Sequence, residues 1–118
     1  MSFNKTLSVI GGAGHVGFPL ALAFASKNYK VNLVDLNRKG LNKIQKGIVP
    51  FYEIGAEKIL NSSLKSQKLI FSTNLQTIKQ SKYIVICIGT PINSKLQPQT
   101  KKFFNFFNEL FKYISKKQ

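Results

Sequence analysis

The sequence predicts an α/β fold: a doubly wound parallel sheet of about four strands with flanking helices. Three observations carry this. Short apolar runs alternate along the chain with segments of helical periodicity. The strongest run, Tyr83-Ile84-Val85-Ile86-Cys87-Ile88, is apolar throughout, which suits a strand covered on both faces of a parallel sheet. A glycine-rich stretch, Gly11-Gly12-Ala13-Gly14-His15-Val16-Gly17, joins the first apolar run to the first helical segment.

Residues 6–11 read as the first strand. Residues 15–27 read as a helix, with Val16, Leu20, Ala23 and Phe24 at helical spacing and Asn28 as its stop. Residues 31–34 are a second strand, and residues 38–45 a second helix closed by Gly47. Pro50 to Gly55 is a turn, residues 56–61 make one or two helical turns, and residues 69–73 form a third, short strand. Asn74 caps a brief helix through Lys79. After the strand at 83–88, a polar loop at 93–100 leads to a last helix at 101–115. Phe103, Phe107, Leu110, Phe111 and Ile114 fall on one face of that helix, a stripe that reads as core, or as an exposed face if part of the sheet is missing.

Composition narrows the function. The 118 residues suffice for one modest domain, and no apolar stretch is long enough to span a bilayer. The N-terminus lacks a signal-peptide layout, and the lone Cys87 fits a reducing cytoplasm, so a cytoplasmic protein with no membrane partner is expected. The net charge of +14 comes almost wholly from scattered lysines against four acids. Arginine, the residue suited to bidentate phosphate contacts, occurs once, as Arg38. Compositional drift explains this better than a nucleic-acid partner does, although the charge favours small anionic ligands. No set of residues suggests a metal site.

The motif chemistry is concentrated after the predicted strands. Gly12-x-Gly14-x-x-Gly17 opens a helix, and Asp35 ends the next strand eighteen residues beyond Gly17. This is the fingerprint of a Rossmann-like dinucleotide-binding unit. Gly12 lets the chain turn, Gly14 admits the diphosphate to the backbone, and Gly17 lets the helix pack closely. N–H groups near His15 and Val16 then face the diphosphate. Asp35 is expected to accept hydrogen bonds from the adenosine ribose, favouring NAD over NADP, while Arg38 is placed to accommodate a 2′-phosphate. Gly89, Thr90 and Pro91 follow the last strand, so three separate segments converge on one sheet edge. His15 has no carboxylate neighbour in sequence to orient it, which favours a structural or cofactor-side role over catalysis. Cys87 reads as a small core residue rather than a nucleophile. Glu53 and Glu57 read as helix-dipole partners or lysine partners rather than a catalytic pair.

Four segments together resemble the UDP-glucose/GDP-mannose dehydrogenase family. They are Gly11 to Ala21; Val34-Asp35-Leu36-Asn37; Gly47-Ile48-Val49-Pro50-Phe51-Tyr52-Glu53, similar to a Gly-x-x-Pro-x-x-Glu turn; and Ile88-Gly89-Thr90-Pro91-Ile92-Asn93, similar to a Thr-Pro loop. With Leu96-Gln97-Pro98 following, the last resembles the form in bacterial UDP-N-acetylmannosamine dehydrogenases. The resemblance covers roughly residues 6 to 115. It implies two-step, NAD-dependent oxidation of a nucleotide-sugar C6 alcohol to a carboxylate, as in polysaccharide biosynthesis. It also implies that His15, Val16, Asp35 and Thr90 contact NAD, with Pro91 shaping the loop beside them. The family often carries a basic residue five positions after the strand-end acid. Here that position is Gly40, with Arg38 and Lys39 before it.

Family members are several times longer, and their catalytic cysteine and lysine and their nucleotide-sugar domain lie beyond the matched region. Cys87 does not match the catalytic position. The expectation is therefore an incomplete N-terminal NAD(P)-binding domain over residues 1–118, with no catalytic residues of its own. It would engage a nucleotide sugar only with a C-terminal half, from a complementing chain or within a homo-oligomer. A stand-alone nucleotide-binding module and a degenerate remnant are the alternatives.

Overall fold

The computed structural model describes residues 2–89 and 92–118. Four strands, β1 (Thr6–Ile10), β2 (Lys30–Val34), β3 (Leu69–Ser72) and β4 (Tyr83–Ile86), form one sheet in the order β3-β2-β1-β4. All pairs are parallel, with Val9 opposite both Leu33 and Val85. The chain therefore builds outward from β1 to β3 and then crosses back to place β4 on the other side of β1. That reversal opens a crevice at the carboxyl ends of β1 and β4, where ligands of such sheets bind.

Three helices cover one face: α1 (Gly17–Ser26), α2 (Arg38–Gln45) and α3 (Ala56–Lys65). Leu7, Val9, Val31 and Leu33 point toward them and meet Phe18, Leu22, Leu41, Ile44 and Leu60 in the main core. The alternate residues Ile10 and Val34 point the other way and pack with Ile78, from a 3-10 turn (Leu75–Gln80), and Leu110, from α4 (Thr100–Phe111). Polar side chains fasten the 3-10 turn to this second face. Buried Ser8 shares a 2.7 Å hydrogen bond with Ser81, and the Asn32 amide donates to Thr77 at 2.9 Å.

The expected fold class and element order hold, with several corrections. The first helix begins at Gly17 rather than 15, because residues 11–16 are spent on a turn in which Gly14 N–H donates to Gly11 O at 3.1 Å. It ends at Ser26 rather than 27, and Asn28 provides the expected stop just beyond, in the left-handed region at φ 72°. The helical turns at 56–61 continue to Lys65, since Leu60 and Ser63 extend the buried stripe. The brief helix after Asn74 is 3-10 in form, and a further short 3-10 turn occupies Phe3–Lys5. The last helix spans Thr100–Phe111 rather than 101–115.

Two packing expectations hold only in part. The strand at 83–88 ends at Ile86 and lies at the sheet edge: Val85 and Cys87 pack on the main core and Ile84, Ile86 and Ile88 on the second, so both faces are covered, but these residues are only half-buried and Tyr83 is exposed. The stripe on α4 is only partly core. Leu110 is fully buried, and Phe106 and Phe107 pack beside it, while Phe111 and Ile114 are exposed, because the sheet ends at β4 and offers no surface to meet them. Among the described residues the salt bridge is Lys112–Glu109 at 2.8 Å. Glu57 sits in the first turn of α3, in keeping with the dipole reading, and the alternative lysine pairing of Glu53 and Glu57 does not form among the described residues.

Candidate cofactor-binding site

Backbone hydrogen bonds draw the strand ends together. Gly11 N–H donates to Val34 O at 2.8 Å, tying the glycine turn to the end of β2, and Cys87 N–H donates to Ile10 O at 2.7 Å, holding the segment after β4 against the end of β1. Gly11 has φ +89°, and a β-carbon there would strike the Cys87 carbonyl. This is the residue that turns the chain out of the strand, a role the sequence reading gave to Gly12. Gly12 is instead confined by close approach, since a β-carbon would lie 2.8 Å from Leu33 Cβ. At Gly17 a β-carbon would collide with the Gly11 carbonyl. The helix thus packs against its own turn more closely than against the sheet. Gly14 is less crowded and half-buried, with 3.3 Å from a β-carbon to Gly11 O.

Ala13 N–H donates to Asp35 Oδ2 at 3.0 Å, and Asn37 N–H donates to Oδ1 at 2.9 Å. The carboxylate therefore braces the glycine turn from 22 residues away, a role not legible from spacing. Each oxygen retains a lone pair, so the half-buried group can still accept from a ligand hydroxyl. Among the described residues, no acceptor pairs with the N–H groups of His15 or Val16, which leaves them free for an anion at the start of α1.

A mainly apolar cleft of about 350 Å³ opens beside this turn. Ile10, Gly11, Asp35, Leu36, Thr73 and Phe106 are among its walls, so one acid stands at the rim of a nucleoside-sized apolar space. Arg38 is exposed and donates to Thr73 Oγ1 at 3.2 Å across the mouth. The expected residues Gly12, Gly14, His15, Val16, Gly17, Asp35 and Arg38 thus gather at one edge. Gly89 is exposed at the same end, just past β4, and Thr90 and Pro91 lie outside the described residues.

Sequence reasoning missed Gly11, Leu36, Thr73 and Phe106 as site residues. The position of Thr73, just after a strand, was a usable signal; that of Phe106, arriving from a distant helix, was not. It also missed the reason for Gly40. A β-carbon there would press on the Asn37 side chain, within 2.6 Å of Nδ2, and lie 3.4 Å from Ala13 Cβ. A side chain at this position would have to displace the Asn37 cap, whose Oδ1 accepts from Gly40 N–H at 3.0 Å.

Cys87 is half-buried just beyond β4, rather than in mid-strand. Burial pushes its thiol above the ordinary value. Less of it is thiolate at a given pH, so alkylation by iodoacetamide at pH 8 is expected to be slower for the folded chain than for the urea-unfolded chain. Equal rates would overturn this.

Residues 5–118 match the family described as UDP-glucose/GDP-mannose dehydrogenase family, NAD binding domain. The chain belongs to this family. The NAD-binding domain of the family accounts for the glycine turn, the acid after β2 and the reversal of strand order together. A UDP-glucose 6-dehydrogenase of Pseudomonas aeruginosa is 33% identical over 81 residues, which are 68% of this chain and 18% of that protein. A UDP-N-acetyl-D-mannosamine dehydrogenase of Pyrococcus horikoshii is 30% identical over 82 residues, 70% of this chain and 20% of that protein. The chain thus spans about a fifth of the length of these curated relatives. A solved UDP-N-acetylmannosamine dehydrogenase of Pyrococcus horikoshii superposes with TM-score 0.79 at 25% identity, over 92% of this chain and 26% of that one. A GDP-mannose dehydrogenase of Pseudomonas aeruginosa shares the fold, with TM-score 0.81 at 23% identity over 93% of this chain and 25% of that one.

The residues present fit NAD. Three glycines are confined by contacts that a β-carbon would break, two turn N–H groups are free, and an acid borders an apolar cleft. The sequence expectations of NAD as cofactor and of a Rossmann-like sheet stand.

Proposed function

We propose that residues 1–118 are one domain that holds NAD for a nucleotide-sugar dehydrogenase, and that the whole enzyme oxidises the C6 alcohol of a UDP-sugar to the uronate. The observation that carries this reading is the juxtaposition of Asp35 with the glycine turn at the rim of the cleft. When bound, NAD supplies the hydride acceptor. In this reading the His15 and Val16 N–H groups meet the diphosphate, the Asp35 carboxylate accepts from the adenosine ribose, and the apolar cleft excludes water from the base. Arg38 and Gly89 complete the border of the site, and Thr90 and Pro91 are assigned to the cofactor on the family resemblance. The relatives are named for action on UDP-sugars, which supports that substrate class.

No residue among those 118 is assigned a catalytic role. The nucleotide sugar, and any complementing chain or second copy, engages through parts outside this sequence. A cytoplasmic place in polysaccharide biosynthesis fits this chemistry.

Calorimetric titration of the chain with NAD and NADP tests the reading. NAD is expected to bind about tenfold or more tightly than NADP, because a carboxylate beside a 2′-phosphate is repulsive. Absence of NAD binding would overturn the cofactor assignment, and tighter NADP binding would overturn the ribose assignment. Turnover of a UDP-sugar by these residues alone would overturn the absence of a catalytic role.

A further inference from the structure

We propose that Phe51 is a positioning residue for the cofactor: it fixes the His15 ring at the diphosphate turn, so that the loop after α2 sets part of the affinity for NAD. The inference rests on the NAD reading above and extends it to a residue 36 positions beyond His15 in sequence.

The His15 and Phe51 rings stack, with centroids 4.3 Å apart and planes 13° from parallel. Phe51 meets Phe18 edge-on at 5.8 Å and 89°. Phe18 is fully buried in α1, one residue after Gly17, so its position is set by the core. A rigid chain of contacts thus runs from the core through Phe51 to an imidazole that is otherwise exposed. The surrounding loop makes the choice specific. Tyr52 and Ile54 are 89% and 86% exposed, while Phe51 turns inward and packs on the main core.

The stack has a chemical consequence. A ring whose face is covered offers its edge, and both imidazole nitrogens lie on that edge. His15 sits between Gly14 and the first turn of α1, where its edge and the free N–H groups serve the same anion. Without Phe51 the side chain must be immobilised when the ligand binds, and that ordering weakens affinity. The same phenyl ring also lines a groove of about 700 Å³ between the loop and α3, together with Glu53, Glu57 and Lys58. The position of the loop is therefore transmitted to the turn through one side chain.

The test is calorimetric titration of NAD into the full chain and its variants. Phe51→Ala is expected to raise Kd about two- to tenfold, the range for one lost aromatic pair. Phe51→Tyr, which keeps a stacking ring, should restore wild-type affinity. In a His15→Ala background, Phe51→Ala should have no further effect. Should Phe51→Ala melt at the assay temperature, Phe51→Leu, which keeps volume without a ring, is read in its place. An unchanged Kd, or an equal loss with and without His15, would overturn the proposal while leaving the NAD reading intact. Wild-type protein that binds no NAD would overturn both.

Discussion

Gly17→Ala is expected to destabilise the chain by about 2 kcal/mol and to abolish measurable NAD binding. Helix propensity alone argues the opposite, since alanine is favoured over glycine by up to about 1 kcal/mol in a helix interior. Gly17 is the first residue of α1, so less than the full preference applies there. Against it stands the Gly11 carbonyl, into which the new methyl group would project, with Gly12 Cα 3.3 Å away. Both are backbone and cannot rotate aside. Relief requires α1 to slide or the turn to open. Phe18, Ala21, Leu22 and Ala25, all buried, bind the helix to the sheet, and Asp35 binds the turn through Ala13. The strain therefore reaches both the core and the site. Thermal melting should show a drop of roughly 6–12 °C for a domain of this size. An unchanged or raised melting temperature would mean that the turn yields easily, and the close-packed geometry assigned to it would be wrong.

Asp35 is expected to give the second large effect, and two variants separate its two roles. Asp35→Ala removes both acceptors, leaving Ala13 N–H and Asn37 N–H without partners, at a cost of about 1–3 kcal/mol for such losses. Asp35→Asn keeps one acceptor oxygen and removes the charge, so its melting temperature should fall less. Both should weaken NAD binding by about tenfold to a hundredfold, the range for hydrogen bonds to a charged group. Asp35→Asn should also narrow the preference for NAD over NADP, because a neutral amide no longer repels a 2′-phosphate. If Asp35→Asn binds NAD as the wild type does, while Asp35→Ala merely melts earlier, the carboxylate is a brace for the turn and not a ribose acceptor.

These two residues also show how legible the molecule is. Glycine spacing, apolar runs and a strand-end acid are local patterns, and each was readable because the physics behind it is local. A run of β-branched and large apolar residues makes a strand, glycines permit a sharp turn, and an acid eighteen residues on lands one strand over. The four-segment likeness located the family for the same reason: each motif is a short piece of chain with its own geometry. What could not be read is pairing across distance. Nothing near Gly11 announces that the Cys87 carbonyl will abut it, and nothing near Phe51 announces His15. Phe106 reaches the cleft only because the chain crosses back after β3 and lays α4 on the second face.

Burial was the least legible property. The run at 83–88 has the composition of a central strand, yet β4 stands at the sheet edge with Tyr83 47% exposed. The α4 stripe has the periodicity of a core helix, yet Phe111 is 61% exposed. Composition states what a segment can bury; the presence of a neighbour decides whether it does.

By itself, then, the sequence determined the alternating α/β order, the glycine turn, the acid after the second strand and the family to which the chain belongs. These follow from backbone permissiveness and hydrophobic period, which act within a few residues. Tertiary structure alone decided which glycine carries the turn, that Asp35 braces it, that Gly40 lies against the Asn37 side chain and Ala13, and that Phe51 stacks on His15. Those depend on contacts between segments that meet only when parallel strands are set side by side and their ends brought to a common edge.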